Sequence, residues 1–186
     1  NPLNSQDELG SLGKSIDYMT DSIEIRNVIQ KGIEKISKTM TGLRSIEKFG
    51  PGLLKQLMDT TNANMSILYV LDNLSSKFVH LASIGANEDL IMSFKSENSE
   101  GEIGNALSTK KIFYLKDIPE DTIFRFKTSA GEAIPKEIIT IPILADTSVV
   151  ALISLVNIKM FAKECHEILD MSWTSINLTY SRLLSN

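Results

Sequence analysis

The chain contains one cysteine, Cys165, in 186 residues. That excludes an internal disulfide and any thiolate-based zinc site built within one chain, and it fits a reducing, cytoplasmic setting. Long apolar runs are also missing. The longest are Ile138 to Ala145, interrupted by Thr140 and Pro142, and Val149 to Val156, interrupted by Ser154. Both are strand-sized, far below the roughly 20 residues that span a bilayer. Aromatic residues make up only 6% of the chain, and there is no basic excess: 19 Lys and Arg stand against 23 Asp and Glu, a net charge of −4. Neither a nucleic-acid footprint nor membrane contact by this segment is expected. The two histidines, His80 and His166, are far apart in sequence. No metal site and no nucleophile–base–orienter set is therefore expected, and the chain reads as a non-enzyme. It starts at Asn1 with no signal peptide, which suggests a piece of a larger protein.

What is present is globular: 42% apolar and 23% charged residues. The charge is unevenly placed. Residues 1–50 carry seven acids and seven bases, whereas residues 51–186 carry sixteen and twelve. The balanced part has a helical period from Asp7 to about Ile46. Leu9, Leu12, Ile16, Met19 and Ile23 are spaced 3-4-3-4, and Ile29, Ile33, Ile36, Met40 and Leu43 are spaced 4-3-4-3. Both are heptad seams. Ten residues separate Met19 from Ile29, a heptad plus three, so the second seam is out of phase with the first by a stammer. A helix of ~40 residues would be ~60 Å long. With glycines at 10, 13, 32 and 42, each costing ~1 kcal/mol relative to alanine, it needs a partner.

Phe49-Gly50-Pro51-Gly52 is expected to break the helix, with a short amphipathic helix following from Leu53 to Thr61. The period then changes to two, and strands are expected near 65–71, 77–84, 112–115, 137–144 and 148–158. A short helix is expected over Gly101 to Thr109, a loop with helical patches over Asp117 to Glu132, and a closing helix over Lys163 to Leu184. Pro142 inside a strand should face an edge or a bulge. The organisation expected is residues 1–48 as a signalling helix and 49–186 as one domain.

Two resemblances follow from these residues. Asp7-Glu8-Leu9-Gly10, followed by Leu12, Ile16 and Met19, resembles the opening of the second helix of a HAMP domain, with Asp17 and Met19 in place of that family's Asn-x-Met-like pair. The resemblance implies a membrane-spanning helix further upstream in the intact protein. Residues 53–184 resemble a GAF domain, a relative of the PAS fold. The matching pieces, in order, are Ala63 to Asp72, Leu81 to Gly85, Gly101-Glu102-Ile103-Gly104-Asn105-Ala106-Leu107, Phe113 to Pro119 and Ile141-Pro142-Ile143-Leu144. The fold class implied is α/β in the α+β sense: an antiparallel sheet flanked by helices, with a long N-terminal coiled-coil-type helix.

The GAF resemblance implies a ligand pocket on the sheet face opposite the terminal helices. Strand alternation and the capping loops make Phe78, His80, Ala82, Ile103, Gly104, Phe124, Phe126, Ile139 and Ile141 the candidate ligand-binding residues. The Gly101 to Gly104 turn could offer backbone N–H groups to an anion or simply cap a helix. Cys165-His166 follows the late strands, whereas in phytochrome-type relatives the chromophore cysteine precedes them, so a helix-surface or partly buried thiol is the expectation. Asn157, Lys159 and Phe161 only faintly echo the cyclic-nucleotide signature, since Cys165 and His166 stand where Asp-Glu is required. No cofactor is specified.

The function expected is that of a sensory and signal-relay module in the cytoplasmic part of a receptor, with a histidine kinase, diguanylate cyclase, phosphatase or chemotaxis output domain downstream. The alternative is a ligand-free dimerisation and spacer module. The partners expected are an unknown small molecule and a second copy of the chain. A parallel homodimer would be joined through Leu12, Ile16, Met19, Ile23, Ile29, Ile33, Ile36 and Met40 of the entry helix and Tyr180 and Leu183 of the closing helix.

Overall fold

The computed structural model describes residues 2–86, 91–97, 101–122, 124–128 and 131–185. Helices α1 (Pro2–Gly42) and α2 (Ile46–Thr61) lead into strands β1 (Met65–Asp72), β2 (Lys77–Ile84) and β3 (Phe94–Lys95). Helix α3 (Gly101–Thr109) comes next, then β4 (Phe113–Leu115), the hairpin β5 (Phe126–Thr128) and β6 (Gly131–Ala133), strands β7 (Glu137–Ala145) and β8 (Ser148–Asn157), and α4 (Lys163–Leu184). Six strands form one antiparallel sheet in the order β3-β2-β1-β8-β7-β4. The five strands expected from alternation are present within a residue or two of their expected ends. Among the described residues of 117–132 there is no helical patch; the segment carries β5 and the start of β6.

Each sheet face builds its own core. Ile139, Ile141, Ile143, Ile153 and Leu155 point to a layer made of α1, α2 and α4. Met65, Ile67, Tyr69, Ile138 and Leu152 point to the opposite, distal face, where α3 lies over β7 and β4. Two bulges shift the alternation. Leu68 pairs with Ala82 while Tyr69 pairs with His80, leaving Leu81 as the extra residue. Ile143 pairs with Ala151 while Leu144 pairs with Val149, leaving Val150.

The helix break falls at Leu43–Ser45, where Ser45 is extended (φ −141°, ψ 153°) and opens α2, and not at Phe49–Gly52. Pro51 sits inside α2 on its exposed side. The backbone bond it forgoes is worth about 1 kcal/mol. Burial of Phe49, Leu53, Leu54 and Leu57, all 0% exposed, contributes about 1.5–3 kcal/mol each and keeps the helix continuous.

Helix α1 has two unlike halves. Leu9, Leu12, Ile16, Met19 and Ile23 are each more than half exposed. Ile29, Ile36 and Met40 are buried in the protomer's own core, with Ile33 packed against it. The phase shift between the seams marks the point where α1 reaches the domain. The partner of its second half is α4 of the same chain: a Cβ on Gly32 would stand 2.5 Å from Ile168 Cδ1. Phe49, in the first turn of α2, meets Tyr180 of α4 edge-on at 5.3 Å.

Three expectations are corrected here. Tyr180 and Leu183 are not left uncovered, because α1 and α2 fold over them and leave them 3% and 9% exposed. Ile29, Ile36 and Met40 are spent in the same core, so the seam open to a second chain is confined to residues 9–23. And since Ile29 to Met40 belong to the core of the following domain, a boundary at 48/49 does not correspond to a break in packing.

The glycines separate these halves experimentally. A Cβ at Gly13 meets nothing within 4 Å, so Gly13→Ala should stabilise the free helix by about 0.5–1 kcal/mol. Gly32→Val should destabilise the domain by about 1–3 kcal/mol through the clash with Ile168. Urea unfolding followed by circular dichroism reads both.

Candidate functional site on the distal sheet face

On the distal face, strand registers bring polar groups onto an apolar floor. Tyr69 pairs with His80 and Leu152, which places His80 on the same face as Tyr69. Thr140 pairs with Ser154 in the neighbouring strands, and Ser154 with Ile67. Thr140 and Ser154 are 0% exposed. Their hydroxyl oxygens, and His80 Nε2, are buried without a hydrogen-bond partner among the described residues. A buried polar atom left unpaired costs about 1–3 kcal/mol. Around them stand aromatic rings. Phe94 meets Tyr69 edge-on at 5.0 Å and stacks on Phe78 at 5.4 Å.

Of the sequence-predicted ligand residues, Phe78 and Phe124 are buried in the distal core, and Ile103 and Phe126 pack against it half-buried. Gly104 is buried within α3, which begins at Gly101, so the expected glycine turn is the helix itself. Ala82, Ile139 and Ile141 are corrected. They face the helical layer, Ala82 because the bulge at Leu81 reverses the alternation, and the two isoleucines because the core under α4 claims them. The residues missed, Tyr69, Thr140 and Ser154, carried a signal. Each of the last two is a lone hydroxyl between β-branched or leucine neighbours in a strand buried on both faces, where only a partner or a ligand relieves its burial.

Burial raises the pKa of Tyr69 to about 12, with the Glu102 carboxylate adding to the effect. Tyr114 is also raised, by burial first and then by Asp170, whose Oδ1 accepts its hydroxyl at 2.7 Å, and Tyr180 by burial. For Tyr69, the unfolded chain loses its phenolic proton near pH 10 while the folded chain keeps it until about 12. The stability this residue contributes is complete below pH 10 and is lost as the pH rises from 10 through 12. Absorbance at 295 nm should therefore show buried tyrosines ionising together with alkaline unfolding. Ionisation of all the tyrosines near pH 10 in a chain that remains folded would contradict this.

A second group of polar residues lies on the helical side. Glu137, 0% exposed, accepts the Phe161 N–H at 2.8 Å, and its other oxygen lies 2.7 Å from His166 Nε2. The His166 ring packs 4.6 Å from Tyr114. Cys165 is buried in the first turn of α4, beside a cleft of about 470 Å³, and burial raises its thiol pKa. Asn157 donates to Asn62 O and accepts from Lys159 N, and Asn64 accepts from Ile158 N, so these asparagines clamp strand ends.

No protein-family model matches the sequence, and no curated protein matches it. Solved structures do match the fold. The GAF domain of a phosphoenolpyruvate-protein phosphotransferase from Coxiella burnetii aligns with a TM-score of 0.68 at 16% identity, covering 84% of this chain and 95% of that one. The chain has the GAF fold. A free methionine-R-sulfoxide reductase from Neisseria meningitidis, solved with its substrate, aligns with a TM-score of 0.64 at 11% identity, covering 84% and 90%. A methyl-accepting chemotaxis protein, residues 122 to 287, aligns with a TM-score of 0.58 at 13% identity, covering 80% and 96%. The GAF fold thus occurs in signalling proteins and in at least one enzyme. No described helix of this chain is long and apolar enough to cross a membrane.

Proposed function

We propose that the chain is a sensory and signal-relay module in the cytoplasmic part of a larger, membrane-anchored receptor of histidine kinase, diguanylate cyclase, phosphatase or chemotaxis type. A small molecule held on the distal face changes the relation between α1 and α4 in a parallel homodimer. The observation that carries the reading is the course of α1. One unbroken helix carries an exposed heptad seam over Leu9–Ile23 and, past the phase shift, a core-facing stripe beside α4. A second copy would cover that seam along a two-fold axis, and the HAMP-like Asp7-Glu8-Leu9-Gly10 stretch in the second turn of α1 agrees with an input role. The unpartnered His80, Thr140 and Ser154 atoms support a ligand on the distal face. The single cysteine, buried on the other side of the sheet, supports a non-enzymatic role.

A second reading has its own observation: the distal face is filled by its own side chains, Ile67, Tyr69, Phe78 and Leu152 among them, as a ligand-free dimerisation spacer would require. Mass spectrometry of small molecules released by denaturing freshly purified protein separates the two. A compound at near-stoichiometric yield favours the sensor, and none in repeated preparations favours the spacer.

A further inference from the structure

We infer that β7 and α4 form one mechanical unit, so that a displacement of the distal face reaches the exit helix through side-chain bonds to the edge of β7, with Asn177 as the central positioning residue. The biological meaning rests on the sensory reading above, but the coupling itself needs no ligand and is tested without one.

The device starts with Pro142. Proline has no N–H to offer a neighbouring strand, and β4 pairs with β7 only from Phe113–Thr140 to Leu115–Ile138. Beyond Thr140 the outer edge of β7 has no strand partner among the described residues. Unpaired edge groups are normally covered by something, and here α4 covers them. Trp173 Nε1 donates to Pro142 O at 2.6 Å, Asn177 Oδ1 accepts the Leu144 N–H at 3.0 Å, and Ser181 Oγ donates to Leu144 O at 3.3 Å. The three residues are four apart and share one helix face. At the other end Glu137 binds His166 and the Phe161 N–H just before α4.

The two elements are matched in length. From His166 to Ser181 a helix rises about 22 Å, and from Glu137 to Leu144 a strand spans about 24 Å. Helix and strand are therefore joined at both ends and cannot slide past each other without breaking bonds. Apolar packing alone would permit small shear. The same strand turns Ile138 and Thr140 to the distal face under α3. α2 packs on the helical face as well, but its own side-chain bonds run to α1 and within itself, Gln56 to Thr39 and Thr60, and its hydrogen-bond link to α4 is the long Cys165 Sγ–Thr61 O contact at 3.8 Å, at the end of α4 away from residues 173–181. It serves as an internal control.

The test uses the full chain and hydrogen exchange resolved by peptide. Thr140→Leu drives a wedge between β7 and α3. Exchange across residues 173–181 of α4 should rise about fivefold, with α2 changing less than about twofold. In an Asn177→Ala, Ser181→Ala background the same wedge should leave α4 within about twofold of that background, a non-additivity expected only of coupled sites. An equal rise in α2 and α4, no rise in α4, or the same rise in both backgrounds would overturn the inference. If Thr140→Leu does not fold, the same comparison is made with Thr140→Val, together with emission from Trp173, the one tryptophan. A shift in emission with the bonds intact and none in the double-alanine background supports the coupling. No shift, or equal shifts, refutes it.

Discussion

Glu137→Ala is expected to destabilise the domain by about 3 kcal/mol or more. The side chain is fully buried, yet among the described residues it has no Lys or Arg partner: its oxygens meet His166 Nε2 and the Phe161 N–H. Hydrogen bonds to a charged group contribute about 1.5–3 kcal/mol each. Breaking a buried pair on one side typically costs about 3–5 kcal/mol, because the other member is left without compensation. Glu137→Gln retains an oxygen for the Phe161 N–H and should lose less. Equilibrium urea unfolding at unchanged slope reads the difference. A loss below about 1 kcal/mol for Glu137→Ala would mean that water or a rearranged His166 replaces the carboxylate.

The second large effect divides α1 in two. Ile36 is 0% exposed and Ile16 is 55% exposed, though both sit on heptad seams. Ile36→Glu buries an unpaired carboxylate and should unfold the domain or cost at least about 4 kcal/mol. Ile16→Glu with Met19→Lys should leave the melting temperature of the domain nearly unchanged and weaken self-association at least about 30-fold, the loss of about 2 kcal/mol that a central interface position carries. Sedimentation over a concentration series and thermal unfolding report the two effects separately. A monomeric wild type at tens of micromolar, or unfolding of the Ile16 variant, would refute this division.

These contrasts show why the fold was more legible in the sequence than the site. Strand positions follow from strand-length apolar stretches, as in Met65–Asp72 and Ser148–Asn157, and turn residues such as Asp72 set their ends. The Asp72 carboxylate accepts the Leu74 N–H at 3.1 Å and the Ser75 hydroxyl at 2.6 Å. Which face a residue occupies is more fragile, since one extra residue at Leu81 sends Ala82 to the opposite side. Seam assignment fails for a related reason. A helix facing its own core and a helix facing a copy share the 3-4 spacing, so Ile29–Met40 read like Leu9–Ile23. Their different fates depend on α4, far away in sequence. Pro51 misled because local breaking propensity is about as strong as one or two buried leucines, and α2 buries three.

The central claim, that the distal face receives a small molecule, is tested most directly by thermal shift of the full chain against a library of small metabolites. The comparison is with Ser154→Leu, which puts a bulky apolar side chain beside Thr140 on the distal face and removes one of the unpartnered hydroxyls. The account predicts at least one compound that raises the melting temperature of the wild type by several degrees, about 1 kcal/mol or more for a domain of this size, and does not raise that of the variant. A library in which no compound shifts the wild type, or in which every active compound shifts both proteins equally, would contradict it.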